Sequence, residues 1–324
     1  MQGLRNFASV VMLGVVGCTP HSGGATPATP AKQASAAPSD GPPSAPTPNR
    51  QLANQTTAAL LRGDYKEAAA IVDRARQLSP AVRPSALQIA YFEATVQSYR
   101  GDYRRAVKVM YDHIAAAGAT SKDAFIFHDA MIALRAADGD LLGALVECEE
   151  MTKAGTLGTW TPSDGDRMTW VRLKEYWHRA YLLRMLAQTL ADDERTAFIA
   201  YAESARQEYV ALAAPLRTMG DSIAVLNAYF AFCDGAPARM REAATQVNVA
   251  EDDDVEDLYL VQLALDGSGA AAAAAAVRDR ISTTKAVTVL TPVFLAWMQS
   301  DAVAAAGRPP RFSPKHPTGA RPPR

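Results

Sequence analysis

The chain has 324 residues, 48% hydrophobic, 7% aromatic and 21% charged, with a formal net charge of −1. That length suits one large domain or a repeat array with tails, and the near-zero charge leaves no global field to draw it to nucleic acid or an anionic membrane. Alanine is abundant and β-branched runs are scarce, which favours helices over sheets and an all-α fold.

Met1 to Arg5 is a short basic start, and Phe7 to Gly17 is an apolar run of about eleven residues, of signal-peptide length and too short to span a bilayer. The run ends in Val15-Val16-Gly17-Cys18, which resembles the lipobox of bacterial lipoproteins. The resemblance implies that residues 1–17 are removed by cleavage between Gly17 and Cys18. Gly17 is small enough to enter the peptidase, and the Cys18 thiol takes a diacylglyceryl group. That covalent lipid is the only cofactor-like group expected. Thr19 stands where an aspartate would retain the protein at the inner membrane, so the resemblance implies outer-membrane sorting and a periplasm-facing chain. An ordinary secretory signal is the alternative, but no small-x-small site closes the apolar run before Cys18. Residues 18–50 are rich in Pro, Ala, Ser and Thr and cannot build a core, so they read as a disordered tether. Its reach lies between roughly 30 Å as a coil and about 100 Å as polyproline.

Three segments then align without gaps: Arg62-Gly63-Asp64-Tyr65-Lys66-Glu67-Ala68, Arg100-Gly101-Asp102-Tyr103-Arg104-Arg105-Ala106 and Asp138-Gly139-Asp140-Leu141-Leu142-Gly143-Ala144, with their glycines 38 residues apart. Each follows an apolar helical stretch and opens another. Glycine relaxes the turn between antiparallel helices, aspartate caps the second helix, and the small Ala68, Ala106 and Ala144 admit the paired helix. Arg-Gly-Asp recurs here as a structural turn and not as an adhesion signal.

The pattern resembles the tetratricopeptide repeat. Gly63, Tyr65, Ala68, Val72, Ala75 and Pro80 match its second-helix half. Gly101, Tyr103, Ala106 and Met110 follow suit with His113 in place of the second alanine, then Gly139, Leu141, Ala144, Cys148 and Met151. The first-helix halves lack the family's tryptophan and Leu-Gly pair, and the step exceeds the family's by a few residues around Pro80 to Pro84. The resemblance implies a right-handed α-solenoid of about six antiparallel helix pairs over residues 51–306. It also implies a protein-binding groove lined by first helices at Thr57, Leu60, Gln88, Tyr91, Thr95, Asp129 and Ala133. Ala53 and Thr57 stand where chaperone-binding members hold a carboxylate, so that specificity is not expected.

Beyond Met151 the glycines and proline of residues 152–166 predict a loop. Helices follow over Arg167–Leu190 and Asp193–Ala213, the latter with Ala197 and Tyr201 at the repeat positions. Further pairs span Asp221–Phe232 with Pro237–Val247, and Asp254–Leu265 with Ala270–Ile281, and a capping helix spans Val287–Gln299. Residues 307–324 are basic, proline-rich and without acids, hence a disordered tail that could touch anionic lipid or stay solvated.

Trp170, Leu173, Trp177 and Tyr181 share one helical face, read as core packing with an exposed ligand strip as the rival. The acidic run from Glu251 to Asp257 lacks calcium-loop spacing and reads as helix capping by Asp254, with Asp257 in the first turn. Cys148 and Cys233 sit in apolar helical contexts, as a disulfide or as buried thiols. His21, His113, His128, His178 and His316 form no HExxH or zinc spacing, and no GxSxG, P-loop or dinucleotide fingerprint occurs. The expectation is therefore a non-catalytic, lipid-anchored scaffold for protein partners in an envelope complex, with no metal and no nucleic acid. A glycan- or small-molecule-binding lipoprotein using the fourth pair's aromatic face is the alternative.

Overall fold

The computed structural model describes residues 47–159, 167–216, 219–250 and 254–283. Cys18 with its signal segment, most of the tether, the Val287–Gln299 cap and the basic tail lie outside the described residues. Every regular element among the described residues is a helix, in six hairpins. They are α1 (Pro48–Leu61) with α2 (Tyr65–Gln77), α3 (Ala86–Tyr99) with α4 (Tyr103–Ala117), and α5 (Lys122–Ala137) with α6 (Leu141–Leu157). Then come α7 (Arg167–Ala187) with α8 (Asp192–Ala213), α9 (Gly220–Cys233) with α10 (Pro237–Ala244), and α11 (Val255–Gly267) with α12 (Ala271–Thr283). Each helix packs mainly on its hairpin mate and on the next hairpin. No described helix is long and apolar enough to cross a membrane.

The three aligned segments all do the same local work. Gly63, Gly101 and Gly139 have φ of 73°, 75° and 82°, a region that side chains resist. The amide after each glycine donates five residues back, as Asp64 N–H does to Ala59 O at 3.0 Å, which closes a Schellman turn. The carboxylates of Asp64, Asp102 and Asp140 then accept from the amides of Glu67, Arg105 and Gly143 at 3.0, 3.1 and 2.9 Å. Ala68, Ala106 and Ala144 are fully buried, while Tyr65 and Tyr103 are half-buried and Leu141 is buried.

The hairpins form two layers. Second helices such as α4 bury one stripe (Ala106, Val107, Met110, Ile114). First helices such as α3 and α5 are apolar nearly all round and are buried to match.

Several boundaries and one register differ from the sequence reading; α7 ends at Ala187 and α10 at Ala244, each three residues before its expected end. The helical domain starts at Pro48, inside the expected tether, because Thr47 caps the helix through Arg50 N–H and Pro48 occupies its first turn. Helix α6 runs on to Leu157, into the first residues of the loop expected over 152–166. Gly155 is buried there, where a Cβ would overlap Val171 and press on Phe125 Cδ2 at 3.1 Å, so this glycine serves close packing and not a break. In α8, Ala197 and Tyr201 are exposed, and Ala202, Ala205 and Tyr209 are buried instead. Trp177 of α7 meets the Tyr209 ring at 5.4 Å and sets that register.

Candidate functional site

The groove expected from first-helix positions is not an open surface along these residues. Leu60, Gln88, Tyr91, Thr95 and Ala133 are buried and Thr57 is half-buried. Thr95 spends its hydroxyl on Tyr91 O at 2.8 Å. The cause is the all-round apolar character of α3 and α5, whose remaining faces are covered by neighbouring hairpins. The aromatic face of α7 is core as well: Leu173, Trp177 and Tyr181 are buried and Trp170 is partly buried, so the rival ligand strip is not presented to solvent.

Two polar clusters sit inside the apolar layers. In the first, Glu147 of α6 is 0% exposed. It accepts from Arg135 Nε at 2.6 Å and from the Tyr111 hydroxyl, and pairs with His128 Nδ1 at 2.7 Å. Burial pushes its carboxyl upward, but the His128 and Tyr111 bonds and the Arg135 charge outweigh that and hold it below its usual range. Arg135 also reaches Asp140 at 2.8 Å, which ties this cluster to the capped turn.

The second cluster joins α5, α7 and α11. Asp129 of α5 accepts from His178 Nε2 at 2.6 Å and from Lys174 Nζ at 3.1 Å. His128 and Asp129, adjacent in sequence, therefore face different partners and form no dyad. Burial pushes Asp129 upward, yet the Lys174 charge and the His178 bond leave its carboxyl well below the usual range. Burial lowers His178, so its imidazole is neutral at neutral pH. Lys174 is also under the charges of Glu256 and Asp254. Asp254 caps α11 by accepting from Glu256 N–H at 2.9 Å, in keeping with the capping role read from sequence. Asp257 lies in the first turn, also as expected from sequence. Glu256, bonded to the Tyr181 hydroxyl, is pushed up to about 8 by burial and by the Asp254 charge.

A pocket of about 550 Å³ opens elsewhere, where the α7–α8 and α9–α10 hairpins meet. Its floor is Phe230, with the guanidinium groups of Arg184 and Arg206 at 5.9 and 5.6 Å from the ring centre. Its charges are largely spent on one another. Arg206 grips Glu203 at 2.6 Å and Asn227 at 2.6 Å, and Asp234 receives both Arg184 and Arg239. Cys148 and Cys233 are free thiols, pushed up by burial to about 12 and about 11, so neither is a nucleophile at neutral pH. Among the described residues no group of three or more His, Cys, Asp or Glu could hold a metal ion.

Acids next to buried apolar residues of a helix are the sequence signal for these clusters, a weak one at Glu147, where Glu149 and Glu150 follow. Glu147 lies between Val146 and Cys148, and Asp129 between Phe127-His128 and Ala130-Met131. Their partners are too far along the chain to be read from spacing. Compared with known proteins, the chain matches no family model, no curated protein and no solved structure.

Proposed function

We propose that the chain is a lipid-anchored envelope protein whose hairpins form a tetratricopeptide-like α-solenoid acting as a non-catalytic scaffold for partner proteins. The observation that supports the reading is the serial packing of six hairpins, each helix resting mainly on its hairpin mate and on the next hairpin, the arrangement by which repeat proteins build extended binding surfaces. The lipobox resemblance at Cys18 supports anchoring, and Thr19 supports the outer membrane. Since the first helices are covered, the partner face is assigned to the exposed second helices. Leu142 and Val146 lie one turn apart on α6, 65% and 53% exposed, with Leu157 exposed at its end.

Capture from detergent-solubilised membranes tests the scaffold. The full chain should bring down a stoichiometric protein that a Leu142→Asp, Val146→Asp double variant loses. If no partner appears and a glycan or small molecule raises Tm instead, the scaffold reading fails. Cys18→Ala tests the anchor: unchanged processing and membrane retention would refute lipidation there.

A further inference from the structure

We propose that the pocket lined by α8, α9 and α10 binds a small organic carboxylate, whose anion is held by Arg184 and Arg239 beside Asp234. The site lies on other helices than the α6 face, and the inference does not rest on the scaffold reading. Packing of the array opens the pocket. Second helices α4 and α6 pack closely on the first helix of the next hairpin, whereas α8 touches α9 only lightly. The junction is held from α7 instead, by Arg184 to Asp234 and by Gln188 Nε2 to Cys233 Sγ at 2.9 Å. The space left is about 550 Å³, within the roughly 300–1,000 Å³ of small-ligand sites.

The charges inside the pocket are unevenly matched. Arg206 is satisfied: Glu203 accepts from its Nε and Nη2 at 2.9 and 2.6 Å, and Asn227 from its Nη1 at 2.6 Å. Asp234 has to serve two guanidinium groups, Arg184 from α7 and Arg239 from α10, the latter at 2.8 Å. That end of the pocket therefore carries one positive charge in excess. Arg184 is only 5% exposed, and its buried Nε has no hydrogen-bond partner. A buried donor left without an acceptor is costly. The surplus charge and the lone Nε both call for one more acceptor, and a carboxylate is the flat two-oxygen group that fits the edge of a guanidinium. The excess is a single charge, and Glu203 and Glu242 line the same pocket, so a monoanion fits where a phosphate dianion meets added repulsion. Ile199, Phe230, Ala231 and Ala243 supply walls for an apolar body.

Isothermal titration of N-acetylphenylalanine into the full-length chain should give saturable one-site binding with a Kd of about 1 mM or tighter. The uncharged N-acetylphenylalaninamide should bind at least about tenfold more weakly, and phenyl phosphate no better than the carboxylate. Arg239 is exposed, so Arg239→Gln should fold normally and weaken carboxylate binding about tenfold. Asp234→Asn removes the internal competitor for both arginines and should tighten binding, a sign that general loss of structure does not produce. No saturable binding, equal binding of acid and amide, or an unchanged affinity in Arg239→Gln would overturn the proposal. Tighter binding of phenyl phosphate would overturn the choice of a carboxylate. The Leu142→Asp, Val146→Asp double variant should keep the ligand, which separates failure of this site from failure of the scaffold.

Discussion

The first three hairpins and the last two close their turns alike and cap them differently. Gly63, Gly101, Gly139, Gly235 and Gly269 all have positive φ, and the amide after each donates five residues back at 2.9–3.0 Å. In the first three, the residue after the glycine is an aspartate that caps the next helix. After Gly235 it is Ala236, with φ −106° and ψ 81°, close to the −92° and 67° of Asp102, and no side-chain cap forms. The turn between α7 and α8 has no glycine, and Ala191 leads α8 without a side-chain cap. The tight five-residue turn therefore goes with the glycine, while the aspartate adds stability without deciding topology. Ionisable groups are buried between hairpins in both halves, around Glu147 in the first and around Lys174, which reaches back to Asp129 of α5, in the second.

Predictions that separate the two halves run from large to small. Glu147→Leu strips a buried acceptor from Arg135, His128 and Tyr111 and should cost about 3–5 kcal/mol, read as a shift of the urea midpoint. Acid acts on the same group: because the Glu147 carboxyl is held low, its contribution is present above the usual carboxylate range and lost as pH falls through the folded value. Gly155→Ala pushes a methyl into Val171 where α6 and α7 meet, with an expected loss of about 1–3 kcal/mol by thermal unfolding. If Gly155→Ala proves neutral, the close approach of these helices is wrong.

Exchanging the caps tests the comparison directly. Asp102→Ala should destabilise by about 1 kcal/mol, and Ala236→Asp should stabilise α10 by about half that or more, measured by denaturant titration of each variant. A destabilising Ala236→Asp would show that the two turns are not equivalent. The smallest effect is chemical. At neutral pH a thiol reagent should leave Cys148 and Cys233 untouched in the native chain and label both after denaturation without reductant. No labelling after denaturation would mean a disulfide.

The caps and turns are legible in the sequence because they act over six residues or fewer. A Gly-Asp step places a left-handed residue and a carboxylate where backbone geometry alone decides the outcome. The groove is not legible, for the opposite reason. Gln88, Tyr91 and Thr95 resemble a polar face by type, but whether a neighbour covers that face depends on helices dozens of residues away. Ala197 and Tyr201 mislead in the same way: a repeat spacing carried past Met151 cannot foresee that Trp177 and Tyr209 choose the register.

By itself, the sequence determined helix after helix, the 38-residue step, the Asp caps and the small residues at the hairpin crossings, together with a lipobox-like start. Only the tertiary structure decided which faces close on one another. It paired Glu147 with residues 12, 19 and 36 positions away. It also brought Glu256 to Tyr181 and Lys174. Local backbone preferences are written residue by residue. The partner of a buried charge is set by burial, since a charge removed from water must find whatever donor or acceptor the packing of distant helices provides.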